Sequence, residues 1–390
     1  MKTHRTALIL FCILAVLAFL PMVQEHLNWP HVKGLAGVQE EVPLPQLTLT
    51  SCRNGEYQRD IENYLQHHYG YRPNTLRIYN QYLWDFYKKT YVSYSIVEGK
   101  EGWLYEPWFV EDYYHGGTYS ECKDSLTLAR ELTGEALRIR QLQEVLGQHG
   151  VTLFVCLAPG KDLVYPEYLP ENDAPDRPKE FVARDFYEEK FNELGVNHIN
   201  MEQWFLQMKD TVDFLLFPQK GTHWSNIAAV YAADSVFRYI EEKQGFRMDR
   251  LLIGEPAVGP YKKPDYDLEE LYNLYRPLKK LPQHYVDVGV QHVTGSVRPK
   301  LITVGDSFFW NICRQTPMDS LFAEHPYWYY NHTVYFDPNH NTTEELDLAD
   351  ELLSADAVML IYSSVQLYKM SNGFSQKALT SLGYDENPSF

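Results

Sequence analysis

Two short stretches of this chain carry residue types suited to acyl transfer. Gly305-Asp306-Ser307 follows the apolar run "LITV", at the point where a strand of an open α/β sheet would end. Such sheets bind their ligands beyond the carboxyl ends of the strands. A serine there, at the start of a helix, has backbone N–H groups beside it that can stabilise an oxyanion. His223 lies in "GTHWS", just before Ser225, which reads as the N-cap of an apolar-periodic helix. A histidine held at a helix start can serve as general base to a serine if an acid orients its ring. Taken singly, Gly-Asp-Ser is also an ordinary strand-to-helix turn, and His223 an ordinary structural histidine. Their combination makes the candidate site.

The elements that would position these residues alternate between β and α. Leu126 to Gln148 reads as an amphipathic helix and "VTLFVCLAP" as a strand buried on both faces. A helix is expected from about Glu180 to Leu194, a strand at Val196 to Ile199, and a helix at Ser225 to Lys243. "LITVGDSFF" is a strand entering a turn and a helix, "HTVYF" and "DAVMLIY" are further strands, and a helix spans about Glu344 to Leu353. This order predicts a three-layer α/β/α sandwich with a mostly parallel sheet. Ahead of it, "VEGKEGWLYEPW" reads as a Gly-punctuated strand or hairpin, and Asp60 to Tyr91 as two helices divided by Pro73. The expected organisation is therefore a membrane segment at 1–23, a linker at 24–50 carrying Pro30, Pro43 and Pro45, a helical lead-in at 51–95 and an α/β domain at 96–390. There is no internal repeat.

Composition narrows the function. The 35 basic and 52 acidic residues leave a net charge of −17, which lacks the cationic excess needed to neutralise nucleic-acid phosphates or an anionic lipid surface. At the N-terminus, Lys2 and Arg5 precede an apolar run from Ala7 to Val23 interrupted by Pro21. As a helix of about 17 residues it would span about 26 Å, a little short of a ~30 Å bilayer core. It is read as an uncleaved anchor or a cleaved signal, and both place the rest of the chain outside the cytoplasm. Among the five cysteines, Cys12 lies in this segment, Cys156 and Cys313 are candidate buried thiols, and Cys52 and Cys122 are the pair an oxidising compartment could join. No Cys/His cluster has metal-ligand spacing, so neither a metal nor a cofactor is expected.

Taken together, "GDSF", the upstream "THWS", "LAPGKDLVYPEYLP", "GKEGWLY" and the early "IENYLQHHYGYRPNTLRIYNQYLW" resemble the SGNH-hydrolase-like domain of the alginate O-acetyltransferase type, the AlgJ/AlgX-like family. The resemblance runs over roughly residues 55 to 365. It implies an extracytoplasmic, membrane-associated enzyme that moves acetyl groups onto a polysaccharide, with Ser307 as nucleophile and His223 as base. In that family the orienting acid stands two residues before the histidine; here that residue is Gly221. Asp265 and Asp267, in the Pro-flanked "KKPDYDLEELYNL", are candidates to replace it, as is a backbone carbonyl. Both aspartates also suit an exposed loop and a helix start. Asp306, the neighbour of Ser307, should point away from the base.

The implied chemistry is two-step transfer through an acyl-serine, with the Ser307 N–H and a further donor, in the region of Gly305, at the oxyanion. Lys161, in "APGKDLVYP", matches a Pro-x-Lys element of the family and is a candidate support for the site. Trp224 is a candidate groove wall or a staple for the helix start. The runs "EPWFVEDYYHGG" and "HPYWYYNHTVYF" fit either a glycan groove or core packing. Three functions follow: an O-acetyltransferase fed by a membrane-bound acyltransferase, a carbohydrate esterase using the same Ser307 and His223, and a non-catalytic glycan-binding subunit of a polymer-export complex.

Overall fold

The computed structural model describes residues 2–37, 41–90, 95–116, 125–175, 179 and 181–384. They fall into two compact units, one of residues 1–94 with 269–279, the other of 95–268 with 280–390.

In the first unit a single helix, Lys2–Leu27, runs through Pro21. Its stretch Arg5–Leu27 is apolar and long enough to cross a membrane, and its window of highest hydropathy is unburied. The helices Glu56–His67 and Arg72–Tyr87 follow, with Pro73 in the first turn of the second, where its missing N–H costs nothing. The returning segment joins them closely: the Asn80 amide donates to the Tyr272 carbonyl at 3.0 Å, Arg276 pairs with Asp85 at 2.6 Å, and Asn273 exchanges bonds with the Ala36 backbone.

The second unit is built on a six-stranded sheet in the order Thr333–Tyr335, Tyr327–Tyr329, Leu301–Gly305, Ala357–Ser363, Thr152–Ala158, His198–Asn200. The strands are parallel except for the antiparallel edge strand Thr333–Tyr335. Because side chains alternate along a strand, each central strand feeds two cores. Phe154, Cys156, Met359 and Ile361 face the layer containing Asn226–Gln244, while Val155, Leu157, Leu360 and Tyr362 face that of Ser125–Gln148 and Ala183–Leu194. This is the expected α/β/α sandwich.

Several boundaries shift. The strand expected at Val196 to Ile199 lies at His198–Asn200, and the helix expected from Glu344 is confined to Leu348–Leu353. The aromatic run before "HTVYF" contains a further strand, Tyr327–Tyr329, which lies directly against Leu301–Gly305. "VEGKEGWLY" does form a hairpin, pairing Val97–Glu98 with Leu104–Tyr105. Cys52, Cys156 and Cys313 are free thiols, burial raising the pKa of the last two, while Cys122 lies outside the described residues.

Candidate active site

All the site residues belong to the second unit. Ser307 sits in the turn between the strand Leu301–Gly305 and the helix Phe309–Gln315. A glycine is required at 305, because a Cβ there would come 2.2 Å from the Ile361 carbonyl oxygen of the adjacent strand. Gly305 therefore lets the two strands close up below the serine; its own carbonyl accepts from the Tyr330 N–H at 2.9 Å. Asp306 points away from His223, accepting from the Ser363 N–H and hydroxyl at 2.7 and 2.6 Å and from the Phe308 N–H at 3.1 Å. The turn is thus tied to the strand end on the side opposite the Ser307 hydroxyl. Among the described residues, no acceptor engages the Ser307 N–H.

His223 is held from the other direction. Ser225 caps the helix Asn226–Gln244, accepting from the Ala228 N–H, and fixes the segment that carries the histidine. The Ser307 hydroxyl lies 2.8 Å from His223 Nε2, and Asp267 Oδ2 lies 2.6 Å from Nδ1. A carboxylate only accepts, so it selects the tautomer with the proton on Nδ1 and leaves Nε2 free to accept from the serine. The other Asp267 oxygen accepts from the N–H groups of Thr222 and Leu268, both at 2.8 Å, so the carboxylate cannot swing away. The His223 and Asp267 side chains keep 18% and 25% of their surface exposed, enough for a substrate to approach.

Gly221 is explained by this arrangement. A Cβ on it would come 2.9 Å from Pro218 Cγ and 3.1 Å from both the Asp265 carbonyl carbon and Asp267 Oδ1. The space a side chain at 221 would need is filled by the segment that delivers Asp267. Asp265, the other candidate, is fully buried at the start of the helix Asn226–Gln244, where it accepts from the Asn226 N–H at 3.1 Å. Burial pushes its carboxyl up to about 7 against the hydrogen bonds it accepts. It does not reach His223.

Two further candidates take structural places rather than substrate-facing ones. Trp224 is not a groove wall: it is completely buried, its indole N–H donates to the Phe308 carbonyl at 3.1 Å, and its own carbonyl accepts from Asn311 at 2.8 Å. It ties the histidine segment to the serine turn. Lys161 is neither solvated nor open to substrate. Its ammonium is buried and donates to the carbonyls of Leu104, Gln219 and Gly221 at 2.6, 3.1 and 2.8 Å, beside the rings of Trp103 and Tyr105. Burial lowers its pKa well below the usual lysine range, while three acceptors suit the three donors of the charged form. Lys161 thus pins the backbone leading to His223. Lys161→Met takes the ammonium donor from three buried carbonyls, of which that of Gln219 still accepts from the Leu104 N–H at 3.0 Å. Each carbonyl left unpaired costs about 1–3 kcal/mol, and the change is expected to lower both melting temperature and activity. Thermal melts alongside an aryl acetate assay check this; an unchanged melt would contradict it.

Glu106 adds a second carboxylate near His223. One of its oxygens accepts from the Thr222 hydroxyl at 2.9 Å, and it stands close enough to His223 to act on its charge. Burial raises its pKa, a tendency His223 and Thr222 oppose. For His223, burial alone would lower the pKa; the Asp267 hydrogen bond and the charges of Asp267, Glu106 and Asp306 reverse this, and the net shift is upward. In sequence, only the nearness of Glu106 to "GWLY" marks it.

A mostly parallel sheet between two helical layers, with a serine turn at the carboxyl end of a central strand, is the architecture of an SGNH-hydrolase-like domain. Residues 96–291 match the family described as the SGNH hydrolase-like domain of the acetyltransferase AlgX. The match takes in just over half of the chain, including His223 and Asp267, and the chain belongs to this family. Among solved structures it is similar to the O-acetyltransferase domain of Pseudomonas putida AlgJ, at 17% identity, 70% of this chain, 92% of that one and a TM-score of 0.43. It is also similar to Pseudomonas aeruginosa AlgX, at 12% identity, 77% and 71% coverage and 0.44. A third is Bacillus cereus PatB1 with a sulfonyl adduct, at 12% identity, 70% and 99% coverage and 0.43. No curated protein matches the chain.

Proposed function

We propose that this chain is an O-acetyltransferase that moves acetyl groups onto a polysaccharide outside the cytoplasm, through an acyl-enzyme on Ser307. The observation that carries the reading is the continuous hydrogen-bonded line Ser307–His223–Asp267 at the strand ends. Membership of an acetyltransferase family supports the reaction class. An acid bonded to His223 favours catalysis over a binding-only subunit.

In the first step His223 Nε2 takes the Ser307 proton as Oγ attacks the acetyl carbonyl, and the Ser307 N–H faces the oxyanion. The tetrahedral adduct collapses, His223 gives the proton to the departing donor, and acetyl-Ser307 remains. A sugar hydroxyl then enters, His223 takes its proton, its oxygen attacks the acyl carbon, and Ser307 leaves with the proton returned by His223. Asp267 keeps its hydrogen bond from Nδ1 and stabilises the imidazolium at each step. A membrane-bound acyltransferase is the expected source of acetyl groups, and the N-terminal apolar helix the expected membrane attachment.

Incubating the full chain in detergent with an activated aryl acetate and a polysaccharide acceptor tests the reading. Acetyl ester recovered on the polymer, absent with Ser307→Ala, supports it; acetyl released only as acetate would assign an esterase. Activity needs neutral His223. Its raised pKa places the acid limb of kcat/KM above the model-peptide value of 6.5, with the rate falling as pH drops through it. Glu106→Gln removes a charge that favours the imidazolium and is expected to move that limb to lower pH. A pH–rate profile of both proteins checks the sign.

A further inference from the structure

The turn Tyr329–His332 joins the two outer strands beside Ser307 and is closed by the His332 N–H on the Tyr329 carbonyl at 3.1 Å. Two successive residues in it, Tyr330 and Asn331, lie at φ of 50° and 52°. Asparagine tolerates the left-handed region; a tyrosine there is uncommon, and such backbone strain gathers at functional sites. The turn's backbone bonds would be made equally well by glycine at 330, so the ring needs another reason.

The Tyr330 ring lies 4.5 Å from that of Tyr329, and its phenol is within electrostatic reach of Asp306, behind the serine turn, and of Glu106, which acts on His223. Strand alternation puts Tyr327, Tyr329 and Tyr335 on one sheet face. Trp310, one turn beyond Ser307, meets Tyr335 at 4.7 Å, Phe336 at 5.8 Å and Tyr329 at 6.3 Å. Tyr335 and Phe336 keep 37% and 49% of their surface exposed, and Trp310, Tyr329 and Tyr330 are half-buried. An aromatic surface therefore extends from the serine turn to the sheet edge.

We propose that Tyr330, Tyr329, Trp310, Tyr335 and Phe336 form an acceptor subsite that stacks an uncharged sugar ring of the polysaccharide beside Ser307. The proposal rests on the transferase reading above. Flat rings with polar edges suit the apolar face and peripheral hydroxyls of a pyranose. Charge selects against a uronate: Asp267 and Glu106 stand at His223, with the Asp306 carboxylate behind the serine turn, Lys161 is buried and committed to three carbonyls, and the chain carries −17 overall. The exposed Arg314, over the Trp310 ring at 5.5 Å, keeps its charge, and the hexagalacturonate titration weighs it against those carboxylates.

Calorimetric titration of the full chain in detergent with cellohexaose, chitohexaose and hexagalacturonate tests this. At least one neutral oligomer is expected to bind, with hexagalacturonate at least tenfold weaker. Tyr330→Gly and Trp310→Ala are each expected to weaken neutral binding about tenfold, and Tyr275→Ala, on an exposed ring of the first unit, to leave it unchanged. Glycine adopts positive φ freely, so the melting temperature of Tyr330→Gly should not fall, which separates lost binding from lost fold. Absence of neutral binding, equal binding by the two site variants and the parent chain, or tighter binding of hexagalacturonate would overturn the proposal. Ser307-dependent aryl acetate hydrolysis is measured in parallel: hydrolysis without sugar binding rejects the subsite alone, and sugar binding without hydrolysis rejects the enzyme reading alone.

Discussion

Asp267→Asn is expected to lower kcat by about 10⁴, equivalent to about 5.5 kcal/mol of transition-state stabilisation, with the fold retained. The reason lies in how the carboxylate is fixed. Oδ1 accepts from the N–H groups of Thr222 and Leu268, so in an asparagine the carbonyl oxygen must take that place. The amide NH₂ then faces His223 Nδ1, which has to accept, and the ring proton moves to Nε2. That tautomer cannot take the Ser307 proton. Asp265→Asn, at the helix start, has no such route to His223 and should leave kcat far less affected. Initial rates with an aryl acetate distinguish the two substitutions; equal losses would contradict the assignment of Asp267.

Ser307→Ala is expected to have the largest effect, a loss of about 10⁶ in kcat, because no acyl-enzyme can form. The Ser307 hydroxyl bonds only to His223 among the described residues, so its removal leaves no buried group stranded and the melting temperature should hold. Residues acting as one unit are strongly non-additive. Adding Asp267→Asn to Ser307→Ala should therefore cost little more, and multiplicative losses would argue that the two act separately.

The main sheet strands are legible in the sequence because each depends on local pattern, and the structure brings the two motif residues, Ser307 and His223, within 2.8 Å of each other. "VTLFVCLAP", "LITV" and "DAVMLIY" are apolar throughout because helices cover both faces of the sheet, and Ser225 marks the helix that fixes His223. The strand Tyr327–Tyr329 was hidden because three aromatic residues in a longer aromatic run carry no contrast between faces, although Trp328 enters one core and Tyr327 the other.

The sequence leaves the partner of His223 open between Asp265, Asp267 and a backbone carbonyl. Asp265 and Asp267 are two residues apart, one just before and one at the first residue of the helix Asp267–Leu271, and their fates are set by a turn in which the Asp265 N–H donates to the Lys262 carbonyl and that of Asp267 to the Pro264 carbonyl. One is delivered to the neighbouring helix start and the other to the imidazole; that is a tertiary outcome with no local signature. Gly221 had a meaning that spacing alone does not reveal, since its missing side chain makes room for the incoming segment. Lys161 and Glu106 act through contacts some 60 and 116 residues distant in sequence.

Peptide mapping of the full chain, quenched in acid seconds after mixing with 4-nitrophenyl acetate, tests the Ser307 acyl-enzyme most directly. The expected result is a single acetylated peptide containing Ser307, absent in Ser307→Ala, slow to appear in Asp267→Asn, and cleared when an acceptor polysaccharide is added. Acetyl groups found only on other residues, or turnover with Ser307 unmodified at every quench time, would contradict it.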